Sequence, residues 1–251
     1  MTMRLGIIGG TGTGTLFTPD GESPDRPREW PCGPPSAPPR RCLADGRELL
    51  FLPRHGEAGG PRILPHQVNY RANVRALRDA GADRIVGINA VGGIAPWAVP
   101  GTLVLPDQLI DYTWGREHSY AGSDAIPEPH VDFSAPFDAA LRSALAGTAA
   151  RLGIGMPDRA TYGVTQGPRL ETAAEIDRLE RDGCHVVGMT AMPEAALARE
   201  LGIAYAICCV VVNPAAGREP AGSRIHDGMA VHLEAGLRSV RQLVAGLLAS
   251  Q

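Results

Sequence analysis

The apolar runs Leu5–Ile8, Leu49–Leu52, Ile85–Ile88, Val186–Met189 and Ile203–Val212 are interleaved with segments of helical periodicity, and this restricts the chain to a mixed or largely parallel sheet covered by helices. The helical segments carry their own start and stop signals. Asn69 caps a stripe of Tyr70, Val74 and Leu77 that stops at Gly81. Ser134 and Pro136 open a helix bearing Phe137, Leu141 and Leu145, and Thr172 with Glu175 forms a capping box for a helix that ends at Gly183. Pro193 starts another, and a last helix runs from about His226 to the end with Met229, Leu233, Val240, Val244 and Leu247 on one face. Residues 18–47 are rich in Pro, Gly and Arg and read as loops with weak strands. With 251 residues, 44% of them hydrophobic and 20% charged, the chain reads as one α/β domain over 1–251.

All 24 basic residues are arginine. A chain without lysine has no P-loop lysine, no Schiff-base lysine and no pyridoxal-phosphate anchor, so any phosphate must be held by arginine, hydroxyls, histidine and backbone N–H groups. A net charge of −3 gives no general attraction for nucleic acid or an anionic membrane. No apolar run reaches 18 residues, the five cysteines form no CxxC pair, and Cys208 and Cys209 sit inside a strand-like run. The expectation is a cytoplasmic protein with buried, unreactive thiols.

In open α/β sheets, ligands gather beyond the carboxyl ends of strands. Four such ends carry polar groups here: Gly10-Thr11, Arg54-His55, Asn89-Ala90 and Met189-Thr190. Taken singly, Thr11 is as well explained by turn chemistry, and Arg54-His55 by a solvated strand end. Together they are the parts of a lysine-free phosphate site. The glycine run is not a dinucleotide fingerprint, because the third glycine of GxGxxG would fall at Thr15. His66, His118, His185 and His226 have no metal-like spacing, and Glu194, in the first turn of a helix, suits the helix dipole.

The segments GIIGGTG (6–12), LPRHG (52–56), HQVNYRANVRALRDAGADRIVGINAVGGI (66–94), LPDQLIDYT (105–113), TQGPRLETAAEI (165–176) and GMTAMPEAALARELGI (188–203) resemble, in this order, the methylthioadenosine phosphorylase and purine nucleoside phosphorylase family. The resemblance spans nearly the whole chain. It implies a distorted mixed sheet, a homotrimer, and phosphorolysis of a purine nucleoside, with inorganic phosphate as co-substrate and neither metal nor organic cofactor. GPRLETAAEI followed by VVNPAAG (211–217) resembles members acting on S-methyl-5′-thioinosine. Methylthioadenosine, or ordinary inosine and guanosine, are the alternative substrates.

Carried over by position, the resemblance puts Thr11, Arg54, His55, the Ala90 amide and Thr190 around phosphate, with Met189 under the ribose. Asn213 and Glu171 hold the purine, and Leu170 stands where many relatives have phenylalanine. Relatives that cleave inosine carry a histidine near the start of the last helix; Met229 stands there instead, with Leu233 one turn on, which suits a methylthio group. His232 departs from the family pattern and keeps a 5′-hydroxyl substrate open. His130 resembles a histidine that a neighbouring subunit lends to this pocket. Asn213 and Glu171 together suit a 6-oxopurine, because the amide donates to O6 and the carboxylate accepts the N1–H that adenine lacks. Intact Arg54, His55, Thr190 and Asn213 speak against a binding module without catalysis.

Overall fold

The computed structural model describes residues 4–20, 32–57, 59–121 and 130–250. In chain order, the first strands are β1 (Leu5–Gly9), β2 (Thr18–Pro19), β3 (Arg40–Ala44) and β4 (Arg47–Pro53). Helix α1 (Tyr70–Asp79) leads to β5 (Arg84–Gly93), β6 (Leu103–Val104) and β7 (Gln108–Asp111). Then come α2 (Ala139–Arg151), β8 (Thr161–Val164), α3 (Ala173–Arg181), β9 (Val186–Gly188), α4 (Glu194–Glu200), β10 (Ala204–Pro214) and α5 (Met229–Ala249). All ten strands join one mixed sheet, in the order β2-β3-β4-β1-β5-β9-β8-β7, with β10 paired to β5 and β6.

Local chemistry explains the helix boundaries. The Asn69 side chain accepts from the Ala72 N–H at 3.1 Å, and Thr172 and Glu175 form the reciprocal capping box. One helix starts later than the sequence suggests. Asp138, not Ser134, caps α2 by accepting from the Leu141 N–H at 2.7 Å. Ser134 instead donates its own N–H to Asp132, so the chain is still turning there. Strand β6 has only two residues, and β7 and β8 are short and partly polar, so none carries an apolar run long enough to read from sequence.

Two apolar layers hold the sheet. On one face α1 and α4 pack through Val74, Leu77, Leu197 and Ala198. On the other, α2 and α5 pack through Leu141, Leu145, Val240 and Val244. Cys208 and Cys209 lie within β10 and are buried, and burial pushes both thiols up. No helix among the described residues is long and apolar enough to cross a membrane.

The central strand β5 creates the cleft. β10 runs parallel along one edge from Arg84 to Gly93. On the other edge β1 pairs with Arg84–Ile88, and β9 takes over, antiparallel, at Gly92–Gly93. Between the end of β1 and the end of β9, Asn89, Ala90 and Val91 are left on an edge with no ladder partner. That is a topological switch point, where α/β sheets bind ligands.

Candidate active site

A cavity of about 310 Å³ opens at this gap. Thr11, Arg54, His55, Ala90, Leu170, Glu171, Met189, Thr190, Asn213, Met229 and Leu233 all line it. His232 does not: it is half-buried, with its ring against Gly101 and Gly228. His130 is exposed and stands outside the cavity.

The turn after β1 explains the glycines. Gly10 donates its N–H to the Ile88 carbonyl at 3.0 Å, and a Cβ there would lie 2.7 Å from that oxygen and 2.9 Å from Arg54 Nη1. Gly12 has φ +79, a left-handed conformation that glycine adopts without strain. The turn is thus a close approach of backbone to an arginine.

That arginine is fully buried and its charge is already matched. Arg54 Nε donates to Glu194 Oε1 at 2.5 Å, and Nη2 to Glu194 Oε2 at 2.9 Å. Both side chains are 0% exposed. Nη2 also reaches Asn89 Oδ1 at 3.1 Å, and Nη1 donates to the Ile88 carbonyl at 3.2 Å. Of the five guanidinium N–H groups, one on Nη1 has no acceptor among the described residues. Burial alone would lower the pKa of Arg54, but the Glu194 carboxylate outweighs it and holds the pKa above its ordinary value. Tyr205 donates its hydroxyl to Glu194 Oε2 at 2.8 Å, and its own pKa is pushed well up by burial and by Glu194. Glu194 is therefore a buried counter-ion, beyond any service to the dipole of α4.

Asn89 links this pair to the far wall, donating to Thr190 Oγ1 at 2.7 Å. His55 is fixed differently. Its Nδ1 lies 2.8 Å from the Ile63 carbonyl, which can only accept, so Nδ1 carries the proton and Nε2 is the acceptor. Burial and then the Arg54 charge lower the His55 pKa to about 4, so the ring is neutral at physiological pH.

The second polar group of the cavity is Glu171 with Asn213. Thr165 donates to Glu171 Oε1 at 2.5 Å, leaving the other carboxylate oxygen to the cavity. Asn213 sits beyond a bulge in β10, where the register against β5 shifts between Val211 and Asn213. Bulges of this kind re-aim side chains beside functional sites. Its Nδ2 donates to the Pro214 carbonyl at 2.5 Å, which leaves one N–H and Oδ1 for a ligand. Ile225, Met229 and Leu233 supply an apolar wall.

Three further residues shape the cavity, and only Asn89, at a polar strand end, lies in a sequence motif. Asn89 is the hub just described. Arg62 lines the mouth and donates to Thr11 Oγ1 at 3.2 Å. Arg116 is buried and donates to the carbonyls of Met189 at 2.8 Å and Gln166 at 2.9 Å, tying two cavity loops together. The only signal for Arg62 is a lone arginine in a Gly-Pro loop after LPRHG; for Arg116 there is none. Among the described residues, no three His, Cys, Asp or Glu side chains are grouped so as to hold a metal.

Residues 4–248 match the model of the phosphorylase superfamily. The chain belongs to this superfamily. It is 51% identical to a protein of Pseudomonas syringae pv. tomato named probable S-methyl-5′-thioinosine phosphorylase, over 86% of each chain. It is 42% identical to the S-methyl-5′-thioadenosine phosphorylase of Mycolicibacterium smegmatis, over 86% of this chain and 79% of that one. Among solved structures, the methylthioadenosine phosphorylase of Schistosoma mansoni in complex with adenine superposes with a TM-score of 0.87 at 30% identity, covering 98% of this chain and 91% of that one. The mixed α/β sheet expected from the sequence is thus the fold of this superfamily.

Proposed function

We propose that this phosphorylase splits S-methyl-5′-thioinosine with inorganic phosphate, giving hypoxanthine and 5-methylthioribose 1-phosphate. A phosphate oxygen bonds to C1′ as the C1′–N9 bond breaks; that electron pair goes to the purine, and the proton of hydrogenphosphate ends on the departing base. Thr11, Thr190, the Ala90 amide and the remaining N–H of Arg54 receive the phosphate. Neutral His55 accepts its P–OH at Nε2. Positioning the nucleophile and stabilising the sugar's developing positive charge are the main effects required.

The observation that carries the reading is the pairing of Asn213 with Glu171 in the same cavity as the Arg54 cluster. The free N–H of Asn213 suits O6 of a 6-oxopurine, and Oδ1 accepts N7–H as the base takes up its proton. Glu171 accepts N1–H. Adenine offers a bare lone pair at N1, which leaves Glu171 unpaired. The wall of Ile225, Met229 and Leu233 supports a methylthio group at the 5′ position, and His232 faces away from it. His130, exposed in the single chain, acts in the pocket of a neighbouring copy within a trimer.

Phosphate-dependent base release from methylthioinosine, methylthioadenosine, inosine, guanosine and adenosine tests this. Methylthioinosine is expected to exceed methylthioadenosine at least a hundredfold in kcat/KM, about 2.7 kcal/mol at 1.36 per decade. Asn213→Asp narrows that gap, since a carboxyl group can accept from the adenine amino group and protonate N7. Equal efficiency on the two nucleosides replaces the hypoxanthine reading with an adenine one.

A further inference from the structure

The charges around the cavity do not balance for an incoming phosphate. Arg54 is neutralised by Glu194 through two hydrogen bonds, with both side chains fully buried. His55 is neutral, because Nδ1–H is committed to the Ile63 carbonyl and burial opposes a second proton. Glu171 adds a negative charge to the lining. One lining cation has no carboxylate partner among the described residues, and it is Arg62.

Arg62 is also held where an anion would need it. The loop that carries it turns back at Gly56, whose φ is +88. The loop is then clasped to His55 from both sides of the next residue: Ile63 donates its N–H to the His55 carbonyl at 3.1 Å, and His55 Nδ1 donates to the Ile63 carbonyl at 2.8 Å. Arg62 Nη2 in turn donates to Thr11 Oγ1 at 3.2 Å, across 51 residues of sequence. Imidazole, threonine hydroxyl and guanidinium are thereby gathered at one rim. A guanidinium exposed at the mouth keeps its hydration until an anion arrives, and then offers a fork of donors that matches phosphate oxygens.

We propose that Arg62 is a phosphate ligand of this enzyme and supplies the net positive charge that the buried Arg54–Glu194 pair cannot. The proposal rests on the phosphorolytic reading above and extends it to a residue outside the family's motifs. Arg62 takes one charge-assisted contact to the dianion, its Thr11 bond being exchanged for a phosphate oxygen.

The test compares the unaltered enzyme with Arg62→Gln, Arg62→Lys and, as a control for the loss of a distant charge, Arg238→Gln. Arg238 is exposed on α5 and, among the described residues, forms its salt bridge with Glu234 at 2.9 Å. Phosphate saturation is measured at fixed methylthioinosine, and binding of inorganic phosphate alone by titration calorimetry. Arg62→Gln is expected to raise the phosphate KM and Kd about tenfold, with the nucleoside KM at saturating phosphate within twofold. Arg62→Lys recovers part of the loss, since it keeps the charge but not the fork, and Arg238→Gln leaves phosphate affinity unchanged. Added KCl weakens phosphate binding less in Arg62→Gln than in the unaltered enzyme. A phosphate Kd within twofold of the unaltered enzyme in Arg62→Gln overturns the assignment. Calorimetry separates this from the reaction itself. Phosphate binding that falls tenfold, in a protein that releases no base, supports Arg62 and overturns the phosphorolysis; base release with unaltered phosphate affinity in Arg62→Gln does the reverse. An unaltered protein that binds no phosphate overturns both.

Discussion

Removing the Glu194 charge is the sharpest single perturbation the structure offers. Glu194→Gln leaves the Arg54 guanidinium, 0% exposed, without a counter-ion. Breaking one side of a buried ion pair costs about 3–5 kcal/mol, because the surviving charge stays desolvated and unpaired. For a chain of this size, each kcal/mol moves the melting point by about 2–4 °C, so a fall of about 6–20 °C is expected. The same loss leaves Arg54, which lines the cavity, with an uncompensated positive charge. Phosphate then becomes the replacement counter-ion, and saturating phosphate should raise the melting point of Glu194→Gln by more than it raises that of the unaltered protein. A third protein closes the logic. Arg54→Met, Glu194→Leu and Tyr205→Phe together remove both charges and the hydroxyl that would be stranded, and should recover at least half of the lost stability while losing the extra stabilisation by phosphate that Glu194→Gln gains. Calorimetric melting with and without phosphate reads all three. A Glu194→Gln protein that melts within 2 °C of the unaltered one, or a triple variant less stable than Glu194→Gln, refutes the view that this pair is a costly buried charge couple.

Two further outcomes follow from the site. His55 titrates at 6.5 as an ordinary histidine and at about 4 in the folded chain, so between those values the unfolded state binds a proton that the native state does not. Its contribution to stability is therefore complete above pH 6.5 and is lost as pH falls toward 4; urea unfolding at several pH values should show a shallower slope in that window for His55→Gln, and identical slopes contradict the assignment. If His130 completes a neighbour's pocket, activity should follow an oligomer in light scattering and His130→Ala should weaken nucleoside binding; a fully active monomer excludes that role.

What could be read from the sequence was mostly local. The Asn69 cap, the Thr172–Glu175 box and the long run of β10 are chemical signals within a few residues, and each appears where expected. Asp138 was hidden because Ser134 and Pro136 offer a competing start signal four residues earlier. Four polar strand ends of the cavity were legible one by one, each after an apolar run, whereas Leu170, Glu171, Asn213, Met229 and Leu233 were expected only from the family resemblance. Pairing was not legible. Arg54 and Glu194 lie 140 residues apart, and only the packing of α4 against α1 and β10 reveals that the arginine's charge is already matched. The bulge that turns Asn213, and the turn of α5 that sends Met229 inward while His232 faces Gly101, are likewise set by tertiary packing.

Helix α5 serves two masters. Its first turns supply Met229 and Leu233 to the cavity, while Val240, Leu243, Val244, Leu247 and Leu248 are sealed into the core beneath. At 1.5 Å per residue, its 21 residues make a strut about 31 Å long. Such a strut cannot tilt at one end without prising out its buried end, so the apolar wall is a doorpost and not a door. The connection between Pro214 and Gly228 beside it is mostly exposed, and Gly228, with a left-handed φ of +73, marks its joint with the strut. Amide hydrogens should therefore exchange quickly along 216–228 and slowly through the second half of α5. Changes in that connection should alter how fast substrate enters and product leaves while sparing which 5′ group is accepted.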